Sequence, residues 1–219
     1  MSRRFDPSLL PPTPDLSFEK RLWEAGIEVI AGIDEAGRGA LAGPVTAAAV
    51  VLPESRSIPE DLKGMNDSKQ LTATQREEWA AVIRRGAQAW GVGFASHIEI
   101  DQWGIIPATR LAAQRAMQKT GLSVEHLLLD YLFLPEVKIP QTNLIKGDQR
   151  SLSIAAASIL AKTARDERLI ELDSEFPGYH FVDHKGYATS RHLAALENLG
   201  PCQIHRRSFA PVKERIIRQ

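Results

Sequence analysis

The chain has one cysteine, Cys202, in 219 residues. It can therefore form no internal disulfide and no multi-thiolate zinc site, and a reducing, cytoplasmic setting suits it best. Long apolar runs are also missing. The longest, residues 45–52, ends at Pro53 and falls far short of the ~18–20 residues that cross a bilayer, so no membrane role is expected. Arg3 and Arg4 lead into Pro7, Pro11, Pro12 and Pro14 rather than into a continuous apolar stretch with a small-residue cleavage site. That pattern reads as an extended arm. Charge of one sign is not in excess, because Lys plus Arg and Asp plus Glu are 27 each. The chain as a whole has no bulk attraction for polyanions, and any nucleic-acid contact must come from a local patch. No internal repeat is visible. What remains is 43% apolar and 25% charged, a globular composition long enough to bury a core without staples.

Local signals suggest an α/β chain. Residues 17–25 predict a short helix with Ser17 as N-cap and Gly26 as stop. Residues 29–34 and 45–52 read as two strands joined through the tight polar turn Gly37-Arg38-Gly39. A helix is expected over 72–85 and a third strand over 90–96, with Gly86 between them. A helix over 107–119, with Pro107 in its first turn, ends at Gly121. Residues 127–130 and 142–145 read as short buried strands, followed by an Ala-rich helix over 151–170. Residues 176–187 read as loop, and two further helices are expected over 189–199 and 212–218.

Several of these strands end in an acid: Asp34-Glu35, Asp130 after three leucines, and Asp148 shortly after Leu144-Ile145. Taken singly, each acid has an ordinary reading. Asp148 could cap the next helix, Asp130 could open a turn, and Asp34 and Glu35 could be solvated. Glu99 and Asp101 are weaker competitors of Asp130. The joint pattern is harder to explain that way. Carboxyl ends of strands in open α/β sheets are where ligands bind, and clustered carboxylates repel until a cation relieves them. An all-oxygen set favours magnesium or manganese over zinc, and with it hydrolytic phosphoryl chemistry. His180, Asp183 and His184 lie close in sequence, but no second group with zinc-like spacing supports them.

Gly32-Ile33-Asp34-Glu35-Ala36-Gly37-Arg38-Gly39, followed by Gly43-Pro44-Val45, resembles the signature of ribonuclease HII, the type 2 ribonuclease H. The resemblance continues through Asn66-Asp67-Ser68-Lys69, Lys146-Gly147-Asp148, Ser153-Ile154-Ala155-Ala156-Ala157-Ser158-Ile159 and Ala161-Lys162. It ends with His184-Lys185-Gly186-Tyr187 and His205-Arg206-Arg207-Ser208-Phe209, and so covers residues 28–212. It implies a ribonuclease H-like fold, a mixed five-stranded sheet flanked by helices with a helical C-terminal part. The implied organisation is an arm and short helix over 1–27, a catalytic core over 28–188 and a basic, substrate-binding part over 189–219. The implied activity is cleavage of RNA in RNA–DNA hybrids and nicking 5′ to single ribonucleotides embedded in duplex DNA; separately, nothing in the sequence pattern demands more than a monomer.

Carried over residue by residue, the resemblance makes Asp34, Glu35, Asp130 and Asp148 the catalytic acids that bind Mg2+ or Mn2+. Gly37, Arg38 and Gly39 resemble the loop that reads the ribose 2′-hydroxyl and adjoining phosphate through backbone groups, and glycine suits such a close approach. Tyr187 matches a tyrosine that packs on the ribonucleotide, although a lone tyrosine in a turn is usually just packing. Lys69, Lys146 and Lys185 are implied phosphate contacts. Two positions depart from the family pattern: Tyr131 follows Asp130 where glycine is common, and Ala188 stands where glycine or proline is usual.

The implied mechanism is two-metal hydrolysis leaving 5′-phosphate and 3′-hydroxyl ends. Attack by the 2′-hydroxyl would usually need a histidine pair instead. The C-terminal segment supports a phosphate-facing surface, with Lys185, Arg191, Arg206, Arg207, Lys213, Arg215 and Arg218 against Glu197 and Glu214. Type 3 ribonuclease H usually carries a substantial extra N-terminal domain, whereas fewer than 30 residues precede the first strand. A non-catalytic module of the same fold would be expected to lack some of the acids. A P-loop nucleotide binder would need a lysine and serine arrangement that is missing.

Overall fold

In a computed structural model of the chain, residues 6, 10–55, 57, 59–65, 68 and 71–218 are described, the last without its side chain. The Lys69 contact expected from the sequence lies outside them, as do Asn66 and Asp67 of the same motif. Strand β1 (Ile30–Ala36) pairs antiparallel with β2 (Val45–Val51), and β2 pairs antiparallel with β3 (Ala89–Ala95). On its other side β1 pairs parallel with β4 (His126–Asp130), which pairs parallel with β5 (Gln141–Leu144). The sheet is mixed and five-stranded in the order β3-β2-β1-β4-β5, as the resemblance implied.

Residues alternate across this sheet and feed two cores. Ile30, Ala48, Val50 and Leu128 pack toward helix α5 (Leu152–Glu175), together with α2 (Ala73–Gly86) and α1 (Ser17–Glu24). Ala31, Ile33, Ala47, Ala49, Leu127 and Leu129 pack toward α4 (Ile105–Lys119). Each fully buried Leu or Ile is worth about 1.5–3 kcal/mol over leaving it in water. Gly32 lets α5 lie directly on the central strand, because a Cβ there would stand 2.3 Å from the Ser153 carbonyl carbon. The remaining helices are α3 (His97–Trp103), the single turn α6 (Phe181–His184), α7 (Ser190–Leu199) and α8 (Ala210–Arg218). Among the described residues, no helix is long and apolar enough to cross a membrane.

Three local expectations change. Ser17 is the first helical residue rather than the cap; Leu16 holds the N-cap position without a side-chain bond, and Asp15 Oδ1, two residues before Ser17, accepts the Ser17 N–H at 2.8 Å. Helix α3 was not visible in the sequence. It is only seven residues long and is held by a capping box between Ser96 and Glu99. Residues 181–184 form a helical turn inside the stretch read as loop. Helix α1 is tied to the site through Glu19, which is buried and accepts from Ser151 Oγ and Ser153 Oγ at 2.6 Å each. Burial raises that carboxyl's pKa, and the serine hydrogen bonds oppose the rise.

Candidate active site

Parallel pairing decides where the acids meet. Ile33 stands opposite Leu129, so Asp34 and Asp130, each the next residue, come side by side, Asp130 at the end of β4 and Asp34 two residues before the end of β1. Asp130 in turn stands opposite Leu144 on β5. The chain then passes through Lys146, at φ 55°, into a 3-10 turn at Gly147–Gln149 that carries Asp148. One carboxylate oxygen each from Asp34, Asp130 and Asp148 lie within 4.8 Å of one another. The Gly147 N–H donates to Asp130 Oδ1 at 2.8 Å, and the Glu35 N–H donates to Asp34 Oδ1 at 2.7 Å. Asp148 does not cap α5. Ser151 does, accepting from the Ile154 N–H at 3.3 Å.

Glu35 stands apart from the other three acids because consecutive strand residues point to opposite faces. Asp34 and Asp130 continue the face of Gly32 and Leu128, toward α5, whereas Glu35 continues the face of Ile33. Its Oε1 pairs with an Arg38 guanidinium nitrogen at 2.9 Å. It is still close enough to act on Asp34. Burial holds the Asp34 carboxyl well above its ordinary value near 3.8, and the charges of Glu35, Asp130 and Asp148 push the same way. A hydrogen bond from Ser158 opposes them, and Ser158 Oγ is itself 2.9 Å from Ser68 Oγ. These three clustered groups are all hard carboxylate oxygens, crowded until one resists ionising. A divalent cation of the magnesium or manganese type fits such a donor set, and a thiol-seeking or imidazole-seeking metal does not.

Beside the acids lies a cleft of about 300 Å3 bounded by Asp34, Gly37, Arg38, Gly39, Asp130 and Tyr187. The structure thus gathers the expected loop, the tyrosine and three of the acids, Asp34, Glu35 and Asp130, around one space, with Asp148 clustered beside Asp34 and Asp130.

The ribonuclease HII family model matches residues 31–212. A ribonuclease HII of Moorella thermoacetica is 51% identical over 193 residues, covering 88% of this chain and 92% of that relative. The chain belongs to the ribonuclease HII family. It is accordingly a metal-dependent ribonuclease H, a hydrolase acting on RNA–DNA hybrids. The ribonuclease H2 structure from Pyrococcus horikoshii OT3 shares its fold, with a TM-score of 0.72 at 23% identity over 87% of this chain and 98% of that one. The ribonuclease HII of Archaeoglobus fulgidus, solved in complex with PCNA, superposes with a TM-score of 0.67 at 26% identity, covering 81% of this chain and 91% of that one.

In this ribonuclease HII, two buried arginines hold the glycine loop from behind. Arg165 of α5 is 0% exposed and donates to the Pro44 carbonyl at 3.1 Å and the Ala42 carbonyl at 3.3 Å. Arg206, also 0% exposed, donates to the Gly43 carbonyl at 3.0 Å and the Arg38 carbonyl at 2.9 Å. Burial pushes Arg206 down to about 9, and the Arg165 cation adds to that. Arg165 also lies 5.2 Å from the Tyr187 ring centroid and Lys162 Nζ 5.9 Å from it. No sequence signal marks Arg165 for this role, since arginines in a charged helical stretch ordinarily face water. In the structure its side chain fills the space that a Gly37 side chain would need.

The basic C-terminal segment is less available than its composition suggested. Arg206 is buried, Arg215 pairs with Glu197, and Arg191, though exposed, pairs with Asp183; among the described side chains Arg207 and Lys213 are also exposed. Lys146 is exposed next to the turn that carries Asp148, and Lys185, at φ 51°, donates from Nζ to the Val182 carbonyl. Neither lines the cleft. The competitors of Asp130 are engaged elsewhere. Glu99 pairs with Arg115, which draws it down to about 2, and Asp101 accepts from the backbone of Arg207 and Ser208. His184 uses both ring nitrogens within its own segment, facing the Tyr179 carbonyl and the Gly186 N–H.

Proposed function

We propose that this ribonuclease HII nicks duplex DNA on the 5′ side of a single embedded ribonucleotide, as well as cutting RNA in hybrids, and leaves 5′-phosphate and 3′-hydroxyl ends. One observation carries the reading: Asp34, Asp130 and Asp148 converge within 4.8 Å, and the cleft beside them is bounded by Gly37, Gly39 and Tyr187. A duplex with one ribonucleotide differs from DNA only at a 2′-hydroxyl, so the enzyme must read that group at the point of cutting. Backbone groups of Gly37, Arg38 and Gly39 are placed to meet it, since two of the three residues offer no side chain to keep a ribose away. The Tyr187 ring, half-buried at the edge of the cleft, offers a flat face to the same sugar. Base identity is not read.

Asp34, Asp130 and Asp148 would hold Mg2+ or Mn2+, with Glu35 facing the same charge from the neighbouring face. When bound, a pair of such ions supplies activation of the attacking water and stabilisation of the leaving 3′ oxygen. Arg38, kept in place by Glu35 and by the Arg206 bond to its carbonyl, is set to meet the adjoining phosphate. Lys146 and Lys185 are assigned to more distant phosphates of the backbone, Lys69 to a phosphate contact on the sequence resemblance alone, and residues 189–219 to the outer contact surface. The test is end-group mapping on a labelled duplex with one ribonucleotide, with Mg2+, with Mn2+ and with chelator. A metal-dependent nick immediately 5′ to the ribonucleotide, with a 3′-hydroxyl, is expected. A 2′,3′-cyclic phosphate, or cutting only of long hybrids, would overturn the reading.

A further inference from the structure

Behind Tyr187 lies a chain of imidazoles whose protonation is dictated by their neighbours. The Cys202 N–H donates to His205 Nδ1 at 3.0 Å, and the Cys202 thiol faces the same nitrogen at 3.0 Å. His205 Nδ1 is therefore an acceptor, and the ring proton sits on Nε2. That Nε2 lies 3.0 Å from His192 Nε2, which must accept and so leaves the His192 proton on Nδ1. The far end agrees independently: His192 Nδ1 lies 2.9 Å from the Tyr187 carbonyl, which can only accept. The same carbonyl accepts the Thr189 N–H at 2.8 Å, and the Tyr187 N–H donates to the His184 carbonyl at 3.0 Å. Tyr187 is thus fixed at both backbone polar groups.

His192 and His205 are each 0% exposed, and His184 stacks on His192 with ring centroids 4.4 Å apart. A proton added to His192 would set two N–H groups against each other, and one added to His205 would face the Cys202 amide. Burial, and then the neighbouring imidazoles, hold both rings down to about 4. The titratable and charged groups around them are His184, His97, Tyr179, the Cys202 thiol and Arg206. The segment that carries His205 also grips the glycine loop's far end: Ala42 bridges to His205, the Arg206 N–H donates to the Leu41 carbonyl at 2.8 Å, and the Leu41 N–H donates to the Gly186 carbonyl at 2.8 Å.

We propose that His192 and His205 are positioning residues: a neutral hydrogen-bond relay from Cys202 to the Tyr187 carbonyl that sets the Tyr187 ring against the Gly37–Gly39 loop, and with it the preference for a single ribonucleotide. This rests on the reading of Tyr187 as the ribose contact. Two isosteric changes separate the ends of the relay. Asparagine places its amide nitrogen where Nδ1 stood and can still donate to the Tyr187 carbonyl, whereas glutamine places its amide where Nε2 stood, with the oxygen accepting from His205 Nε2–H. His192→Asn keeps the bond to Tyr187, whereas His192→Gln gives it up.

The experiment measures kcat/KM on a single-ribonucleotide duplex and on a continuous hybrid for the wild type and both variants, with folding followed by thermal melting. In parallel, 15N spectra of the wild type report which ring nitrogen carries each proton. The ratio of the two kcat/KM values is expected to fall about tenfold in His192→Gln and to stay within about twofold in His192→Asn, on the scale of one lost hydrogen bond. The spectra are expected to show His192 protonated on Nδ1 and His205 on Nε2. An unchanged ratio in folded His192→Gln, or the opposite tautomers, overturns the proposal. If His192→Gln does not fold, His205→Asn removes the Nε2–H that holds the His192 proton on Nδ1: a fall in the same ratio is then expected, and an unchanged ratio overturns the proposal. If the wild type shows no nicking of the single-ribonucleotide duplex, the proposed function fails, and the tautomers alone then decide the relay.

Discussion

The Arg165 side chain occupies the space that a Gly37 side chain would need: a Cβ on Gly37 would stand 1.9 Å from Arg165 Nε. Gly37 also sits at φ 88°, so substitution there is strained twice over. Gly37→Ala is expected to destabilise the protein by about 1–3 kcal/mol and to displace the loop that faces the substrate. Gly39 is the control, since nothing lies within 4 Å of a Cβ built there. Thermal melting should separate the two, with a drop of about 2–4 °C per kcal/mol for a chain of this size in Gly37→Ala and little change in Gly39→Ala.

Asp34 is held protonated to higher pH in the folded chain than in the unfolded one, first by burial and then by Glu35, Asp130 and Asp148. Just above the ordinary value near 3.8 the native state therefore binds more protons than the unfolded state. Stability falls as pH rises through that window, and the penalty persists at neutral pH. Asp34→Asn removes it. Without metal, the variant is expected to be more stable than the wild type at pH 7, by about 1 kcal/mol, with the gap closing toward pH 4. Urea titrations at several pH values check this. Adding Mg2+ or Mn2+ should raise the wild-type melting temperature and leave Asp34→Asn nearly unmoved, because only a site that binds metal in the native state gains by mass action.

Tyr131, directly after Asp130, stands at φ 53° and is 75% exposed. A side chain in that left-handed conformation costs about 1–2 kcal/mol that glycine does not incur. At this position Tyr131→Gly should therefore melt above Tyr131→Ala, the reverse of the order expected in a helix or strand. Equal melting temperatures would show that the turn relaxes around alanine.

Much of this organisation could be read before any coordinates, for identifiable reasons. The β1–β2 pair, β4 and α5 carry unbroken apolar or Ala-rich runs bounded by Gly and Pro, and such runs declare themselves locally. Asp34, Asp130 and Asp148 were legible because each ends or follows an apolar strand, where a carboxylate is out of place without a use. Glu35's separation from them follows from strand alternation once the faces are known. Arg165, Arg206 and the His192–His205 pair were not legible in these roles. Their positions depend on the chain returning to the glycine loop from more than 120 residues away, and no local period records that. Helix α3 escaped because a seven-residue helix depends on its cap more than on its face.

The proposed place of cutting is the Asp34–Asp130–Asp148 cluster. The most direct measurement is the cleavage rate on a single-ribonucleotide duplex, at saturating Mg2+, for the wild type and for Asp34→Asn, Asp130→Asn and Asp148→Asn, each shown to be folded by melting. Each variant is expected to lose at least about 100-fold in rate, with duplex binding retained. A folded variant that still cuts at close to the wild-type rate would contradict the assignment for that residue, and three such variants would place the active site elsewhere.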